Sequence, residues 1–158
     1  MIKVFLVEDE PIIRKGIRDN IDWAANGFQF VGEGGDGEYA YPLILETEPD
    51  ILVTDVKMPF MDGLELSRLV KKALPDIKIV ILSGYNEFDY AKEAIKMGIS
   101  DYILKPVTSA ALVEALKRVA DTIREERERE KLLERYFASY KKYTEFLDQT
   151  DYRGVDRR

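Results

Sequence analysis

The sequence predicts an α/β domain built on a parallel β-sheet, followed by an extended C-terminal helix. Two observations lead to this prediction. Within about the first 120 residues, short apolar segments rich in β-branched residues alternate five times with segments of helical periodicity. Beyond that region, apolar residues continue at a regular spacing of three and four residues, which is typical of a helix with one apolar seam. A length of 158 residues suits one compact domain with such an extension.

Each element follows from its local pattern. The predicted strands are Ile2–Val7, Ile51–Val53, Ile77–Leu82 and Asp101–Leu104, with a weaker one at Phe28–Gly32. The predicted helices run from Pro11 to a stop at Asn26-Gly27, over roughly Glu38–Thr47, Leu64–Leu74 and Glu87–Met97, and onward from Ser109. Parallel strands joined by right-handed crossovers place helices on both faces of the sheet. Five strands of this size suit the flavodoxin-like order 2-1-3-4-5.

The last quarter of the chain differs in charge and pattern from the rest. We place the boundary between residues 1–120, which carry the whole net charge of −6, and residues 121–158, which hold ten basic and ten acidic residues. The seam consists of Leu112, Leu116, Val119, Ile123, Glu126, Glu130, Leu133, Phe137, Tyr140, Thr144 and Leu147. This spacing predicts a coiled coil with a second copy of the chain; a solvated, partly frayed helix is the alternative. Residues 148–158 show no pattern and are expected to form a loose end.

Composition excludes several classes of protein. The chain contains no cysteine and no histidine, which removes disulfide frameworks, thiolate metal sites, zinc hydrolases and serine–histidine triads. The chain has 30 acidic and 24 basic residues, and this net negative charge argues against nucleic-acid binding through bulk electrostatics. No apolar run has the length of a signal peptide core or a membrane span, so we expect no membrane partner and a cytoplasmic location.

Polar side chains follow four of the predicted strands at their carboxyl ends. Glu8 and Asp9 follow the first strand, Asp55 the third, Ser83 the fourth and Lys105 the fifth. Ligands of doubly wound sheets bind beyond this edge, so these side chains are expected to meet there. Carboxylates held close together repel one another and therefore need a cation. Oxygen ligands without histidine or cysteine favour Mg²⁺.

A carboxylate beside such a cation is a candidate nucleophile towards a phosphoryl group, which would give an acyl phosphate. The cation and Lys105 would neutralise the charge on the phosphoryl oxygens, and the Ser83 hydroxyl could donate a hydrogen bond to them. Taken singly, each residue has a plainer interpretation as a turn residue, helix cap or loop lysine. Their joint placement at successive strand ends favours a shared site.

The sequence resembles the receiver domains of two-component response regulators over residues 1 to about 120. The matching segments are residues 6–10 (LVEDE), 55–59 (DVKMP), 61–63 (MDG), 82–85 (LSGY) and 101–106 (DYILKP). The resemblance implies that Asp55 accepts a phosphoryl group from a histidine of a sensor kinase. It also implies that Glu8 and Asp9 hold Mg²⁺ together with Asp55 and the backbone carbonyl of Lys57, and that Lys105 pairs with the phosphoryl group. Such a domain is a signalling phosphoacceptor rather than an enzyme acting on other substrates.

The same resemblance assigns the remaining roles. Ser83 corresponds to the switch hydroxyl and Tyr102 to the aromatic residue whose rotamer follows it, while Pro106 corresponds to a proline preceded by a cis peptide bond. The first acid is glutamate where aspartate is more frequent in the family, which could shift its coordination towards a water-mediated contact. Lys57 and Tyr85 lie at positions where the family varies, and we expect them to set the lifetime of the phosphoryl group.

Two further segments, 21–23 (IDW) and 84–91 (GYNEFDYA), resemble receivers attached to AraC-type DNA-binding regions. No helix-turn-helix is recognisable, so DNA contact would require an output domain absent from this chain. The predicted function is therefore that of a phosphorelay receiver controlling transcription, as a homodimer formed through the face of helix 4, strand 5 and helix 5 and through the C-terminal helix.

Two alternatives remain at this point. A phosphatase of the haloacid dehalogenase type would use a similar site, but needs a second acid where Lys57 stands. An unphosphorylated dimerisation module would not need the acidic set or Lys105.

Overall fold

A computed structural model describes residues 1–84 and 88–156, with no side-chain description at Phe88 and at residues 151–156. Five strands and five helices alternate along the chain. They are β1 (Ile2–Val7), α1 (Pro11–Asn20), β2 (Phe28–Gly34), α2 (Gly37–Thr47), β3 (Ile51–Asp55), α3 (Gly63–Ala73), β4 (Lys78–Ser83), α4 (Phe88–Lys96), β5 (Asp101–Leu104) and α5 (Ser109–Asp156). All neighbouring strands are parallel and their order is β2-β1-β3-β4-β5, which confirms the predicted flavodoxin-like sheet.

The strands are buried on both faces because helices cover both sides of the sheet. In β1, Phe5 and Val7 belong to a buried cluster that includes residues of α2, α3 and α4. Val4 and Leu6 alternate with them, point to the opposite face and are also fully buried. Burial on both faces explains why β1, β3 and β4 read as continuous apolar runs.

Side-chain caps fix where three helices begin. Asp36 accepts a hydrogen bond from the Tyr39 amide at the start of α2, and Asp62 accepts one from the Glu65 amide at the start of α3. The Thr108 hydroxyl accepts one from the Ala111 amide and caps α5. Each cap satisfies an amide that would otherwise have no partner in the first helical turn.

The first helix ends earlier than the sequence pattern predicts. The pattern predicts a helix up to Asn26-Gly27, but α1 ends at Asn20 and residues 23–27 form a turn. The Trp23 indole donates to the Arg18 carbonyl in the last turn of α1, and its ring packs 5.0 Å from that of Phe30 in β2. Tertiary contacts of an aromatic residue, which periodicity does not report, therefore end this helix.

The C-terminal helix continues further than predicted. The loose end expected after Leu147 is helical as far as Asp156. A helix closes its hydrogen bonds within its own backbone, so it can extend past the last residue of an apolar seam.

Backbone contacts divide the chain into two compact units, Met1–Ala120 and Asp121–Arg158. In the described part of the chain, which omits residues 85–87 and 157–158, no helix has an apolar stretch that could cross a membrane.

Candidate functional site

The carboxyl ends of β1, β3 and β5 bring four charged side chains together. Ligand atoms of Glu8, Asp9 and Asp55 all lie within 4.8 Å of one another. The Lys105 ammonium lies 2.8 Å from Asp55 Oδ2 and 3.2 Å from Glu8 Oε1. These four residues come from positions up to 97 apart in the sequence, and the parallel sheet aligns them at one edge.

An open cleft of about 560 Å³ lies above this group and is lined in part by Asp9, Asp55, Lys57 and Lys105. Asp55 is 4% exposed and lies at the bottom of the cleft, whereas Glu8 is fully buried. A small anionic group entering the cleft would therefore meet Asp55 and the Lys105 ammonium directly.

Burial and mutual repulsion disfavour the charged forms of the acids. Desolvation is the main reason that the pKa of Glu8 rises to about 7, and the neighbouring Asp55 charge adds to it, while Lys105 opposes both. Burial likewise raises the pKa of Asp55, with Asp9 contributing in the same direction and Lys105 opposing. Burial alone would lower the pKa of Lys105, but its hydrogen bond to Asp55 and the charge of Glu8 outweigh this and raise it.

The donor set fits a hard divalent cation such as Mg²⁺. Three carboxylates face a single lysine, so the site carries excess negative charge. Glu8 Oε2 is buried and has no hydrogen-bond partner among the described residues. A buried, unpartnered carboxylate oxygen is costly, and a bound cation would offset that cost.

Backbone hydrogen bonds hold the strand ends in register around the site. The Glu8 amide donates to the Gly34 carbonyl, the Val56 amide to Leu82 and the Lys105 amide to Ser83. The Lys105–Pro106 peptide bond is cis, as the resemblance implied.

Ser83 and Tyr102 lie on the neighbouring strands β4 and β5. Ser83 is fully buried at the end of β4, and its hydroxyl donates to the Gly84 carbonyl at 3.3 Å. Tyr102 is partly buried on β5 and packs against the core cluster. The Lys57 side chain is exposed at the rim of the cleft. Tyr85 lies outside the described residues.

Two residues to which the sequence analysis gave no role support the site directly. The Arg14 guanidinium donates a 2.7 Å hydrogen bond to the Glu8 carbonyl, which fixes the turn carrying Glu8 and Asp9. Gly63 packs so closely on the backbone of β3 that an added Cβ would overlap the Asp55 carbonyl. A basic residue one turn into the helix after an acidic pair was the available signal for Arg14, and the glycine that follows the Asp62 cap was the signal for Gly63.

Comparison with known proteins agrees with this geometry. Residues 4–117 match the family model described as "Response regulator receiver domain". The chain belongs to this family. It is therefore a receiver domain of a two-component system, and the match does not favour the alternative hypothesis of a haloacid dehalogenase-type phosphatase.

Curated relatives of this receiver domain are described as transcriptional regulators. The chain is 41% identical over 119 residues to the uncharacterized transcriptional regulatory protein YesN of Bacillus subtilis, covering 75% of this chain and 32% of YesN. It is 37% identical over 126 residues to the transcriptional regulatory protein HptR of Staphylococcus aureus, covering 80% of this chain and 49% of HptR. The chain thus spans about a third of the length of YesN and about half of the length of HptR.

Solved structures share the fold of this receiver domain. The receiver domain of AraT, a response regulator from Geobacillus stearothermophilus, superposes with a TM-score of 0.74 at 41% identity and covers 79% of this chain and 97% of that one. A two-component transcriptional regulator AraC from Clostridium phytofermentans superposes with a TM-score of 0.71 at 32% identity. The match covers 82% of this chain and 99% of that one.

Proposed function

We propose that Asp55 accepts a phosphoryl group from a phosphohistidine of a sensor kinase. The observation that carries the proposal is the position of Asp55 at the bottom of an open cleft, with the Lys105 ammonium 2.8 Å from its carboxylate. An Asp55 oxygen attacks phosphorus as the nitrogen–phosphorus bond of the donor breaks. Lys105 stabilises the negative charge on the transferred phosphoryl oxygens.

Glu8, Asp9 and Asp55, together with the backbone carbonyl of Lys57, would hold Mg²⁺ at this site. The ion supplies charge neutralisation for the acidic group and for the phosphoryl oxygens. Lys105, which follows β5, supplies a second positive charge. Its hydrogen bonds to Glu8 and Asp55 keep its side chain in place.

Phosphorylation is proposed to act on Ser83 and Tyr102. The Ser83 hydroxyl donates to the neighbouring Gly84 carbonyl at 3.3 Å, and a charged phosphoryl oxygen on Asp55 would be a stronger acceptor than this neutral carbonyl. Movement at the end of β4 would change the packing of Tyr102 on the neighbouring strand β5, where Tyr102 pairs with Ile81, two residues before Ser83. This would shift a two-state equilibrium of the face formed by α4, β5 and the first turns of α5.

The output is proposed to be transcription regulation through a DNA-binding region outside this chain. The names of the relatives support this, and so do the two segments that resemble receivers of AraC-type regulators. We also propose that the chain forms homodimers through the face of α4, β5 and α5 and through its C-terminal helix. Ile95 and Leu104 expose apolar surface on that face.

Intact mass spectrometry after incubation with acetyl phosphate and Mg²⁺ tests the phosphoacceptor. Wild-type protein is expected to gain the mass of one phosphoryl group, and Asp55→Asn none. Asp62→Asn serves as the control, because Asp62 lies in the same loop region but caps α3, and it is expected to be labelled. Labelling of Asp55→Asn to the wild-type extent would refute the assignment.

The lifetime of the phosphoryl group is proposed to depend on Lys57, whose side chain lies at the rim of the cleft. Lys57→Ala is expected to change the rate of dephosphorylation, measured by the same mass shift after removal of the donor. Lys71→Ala, which removes a lysine from α3, is the control. An unchanged rate in Lys57→Ala would refute this role.

A further inference from the structure

The second compact unit, residues 121–158, exposes a wide apolar surface on one side of α5. Among the residues of this unit whose side chains the structure describes, eight large apolar side chains are between 37% and 63% exposed. They are Leu132, Leu133, Tyr136, Phe137, Tyr140, Tyr143, Phe146 and Leu147, which we call the aromatic face. The Tyr136 and Tyr140 rings stack with centroids 6.4 Å apart, so neighbouring turns of the face form one surface. A continuous apolar surface on a helix favours a partner helix.

We propose that two copies of this chain pair through the aromatic face, with their helices parallel and in register. The residues that face their own counterparts form what we call the Leu–Tyr seam, which consists of Leu133, Tyr136, Tyr140, Tyr143 and Leu147. This inference rests on the homodimer proposed above and adds the orientation and register of its C-terminal helices. Because α5 is one helix from Ser109 to Asp156, a symmetric dimer can use both the receiver face and the C-terminal helix only if its two α5 helices run parallel.

The Leu–Tyr seam has the spacing of a coiled coil. Its five residues follow one another at intervals of three, four, three and four, and all of them have large side chains that are largely apolar. A seam that continues the spacing of Leu112 and Leu116 would instead include Thr144 in place of Tyr143. Leu112 and Leu116 are fully buried in the first unit, so they are not available to pair with a second copy. Their phase therefore does not determine which side of α5 pairs beyond residue 130.

The Leu–Tyr seam also lies along the middle of the aromatic face. The three remaining apolar side chains, Leu132, Phe137 and Phe146, occupy the positions that flank this seam. In a parallel coiled coil, the flanking residue Leu132 of one copy lies beside Phe137 of the other, and this contact occurs twice in a symmetric dimer. A seam through Phe137 and Thr144 would leave Leu132 and Phe146 outside the interface. Pairing along the Leu–Tyr seam thus covers the aromatic face more completely.

The charged segment before the aromatic face favours the same seam. Continued towards the N-terminus at intervals of four and three, the Leu–Tyr seam includes Arg129 and Glu126. Adjacent layers of the coiled coil then carry opposite charges, so an arginine of one copy can pair with a glutamate of the other. A seam through Phe137 includes Glu130 and Glu126 instead, which places two acidic layers next to each other. The Leu–Tyr seam avoids this repulsion.

Disulfide formation in single-cysteine variants of the full chain tests the register, because the chain has no cysteine of its own. Tyr143→Cys is expected to form a disulfide with its counterpart in the second copy, since the two residues face each other. Thr144→Cys, one residue further along, is the matched control and is expected to form at least tenfold less. Tyr140→Cys belongs to both seams and is expected to cross-link whenever the helices are parallel and in register.

Two results of this experiment would overturn the proposal. More disulfide in Thr144→Cys than in Tyr143→Cys would show that the other seam pairs. Absence of disulfide in Tyr140→Cys would show that the helices are not parallel and in register.

The stability of the dimer gives a second readout, measured by sedimentation equilibrium after treatment with acetyl phosphate and Mg²⁺. Thr150 is the next residue of the Leu–Tyr seam, so Thr150→Leu adds an apolar layer and is expected to lower the dissociation constant about tenfold. Thr144→Leu makes the same substitution on the same helix at a flanking position, and we expect a change of less than about threefold. An effect of Thr144→Leu as large as that of Thr150→Leu would contradict the register. Far-UV circular dichroism checks that α5 remains helical in each variant.

These measurements separate the seam from the proposed function. A wild-type chain that stays monomeric would overturn both the seam and the homodimer on which it rests. A dimer in which the cysteine pattern is reversed would overturn the seam alone. Phosphoryl uptake, measured by intact mass on the same samples, tests Asp55 independently of the pairing.

Discussion

The Lys105 ammonium contacts two carboxylates at once, at 2.8 Å from Asp55 and 3.2 Å from Glu8. Lys105 follows β5 and Asp55 ends β3, so the lysine reaches across the intervening strand β4. One cation thus serves two buried acids, and it offsets only part of the desolvation by burial that raises the pKa values of both.

Replacing Glu8 is expected to stabilise the protein in the absence of Mg²⁺. The folded protein raises the pKa of Glu8 to about 7, so ionised Glu8 costs stability at pH 8 and that cost disappears as the pH falls below the unfolded value near 4.5. At pH 8, Glu8→Gln is expected to raise the free energy of unfolding in urea by about 1–3 kcal/mol.

The control for this prediction is Glu46→Gln, an exposed position on α2, with an expected change within about 0.5 kcal/mol. Mg²⁺ is expected to raise the melting temperature of wild type more than that of Glu8→Gln. A loss of stability in Glu8→Gln would contradict the unfavourable burial of this charge.

Removing Lys105 is expected to act in the opposite direction. Lys105→Met leaves Asp55 and Glu8 without their shared cation, and we expect the free energy of unfolding at pH 8 to fall by about 2–3 kcal/mol. Lys117→Met, an exposed lysine on α5, is the control. Phosphoryl uptake from acetyl phosphate should also slow in Lys105→Met, and an uptake rate equal to that of wild type would argue against the proposed role of the lysine.

Gly63 is expected to tolerate no side chain. In Gly63→Ala the new methyl group overlaps the Asp55 carbonyl, so the backbone of β3 or α3 must move. We expect a loss of about 2–4 kcal/mol in the free energy of unfolding, together with slower phosphorylation. At Gly16 on α1 the nearest atom, Asn20 Nδ2, is 3.8 Å from the added carbon, so Gly16→Ala is expected to stabilise the protein by about 0.5–1 kcal/mol. Equal effects at both positions would show that close packing at Gly63 is not the cause.

Arg14 is expected to influence the site by positioning the turn after β1. Arg14→Met removes the hydrogen bond to the Glu8 carbonyl, and we expect Mg²⁺ affinity to fall several-fold, measured by isothermal titration calorimetry. Lys15→Met makes the same charge change at an exposed position of α1. If both variants lose affinity equally, the effect comes from net charge rather than from the hydrogen bond.

The periodicity of the sequence predicted the fold closely because a doubly wound sheet has a strong local signature. β1 and β5 have the predicted bounds, β2 and β3 extend two residues further at the carboxyl end, and β4 is shifted by one residue at both ends. The two larger differences concern helix ends. α1 is ended by the packing of Trp23 on Phe30, and α5 continues beyond the last seam residue.

The sequence by itself determined the order of the elements and the chemical nature of the residues at each strand end, because apolar periodicity and residue type are local properties. Only the tertiary structure decided which atoms meet: that Lys105 bridges Asp55 and Glu8, that Arg14 holds the Glu8 carbonyl, and that Gly63 leaves no room beside Asp55. The reason is geometric. Contacts between residues far apart in the chain depend on strand register and on close packing, and neither property is encoded in any single segment.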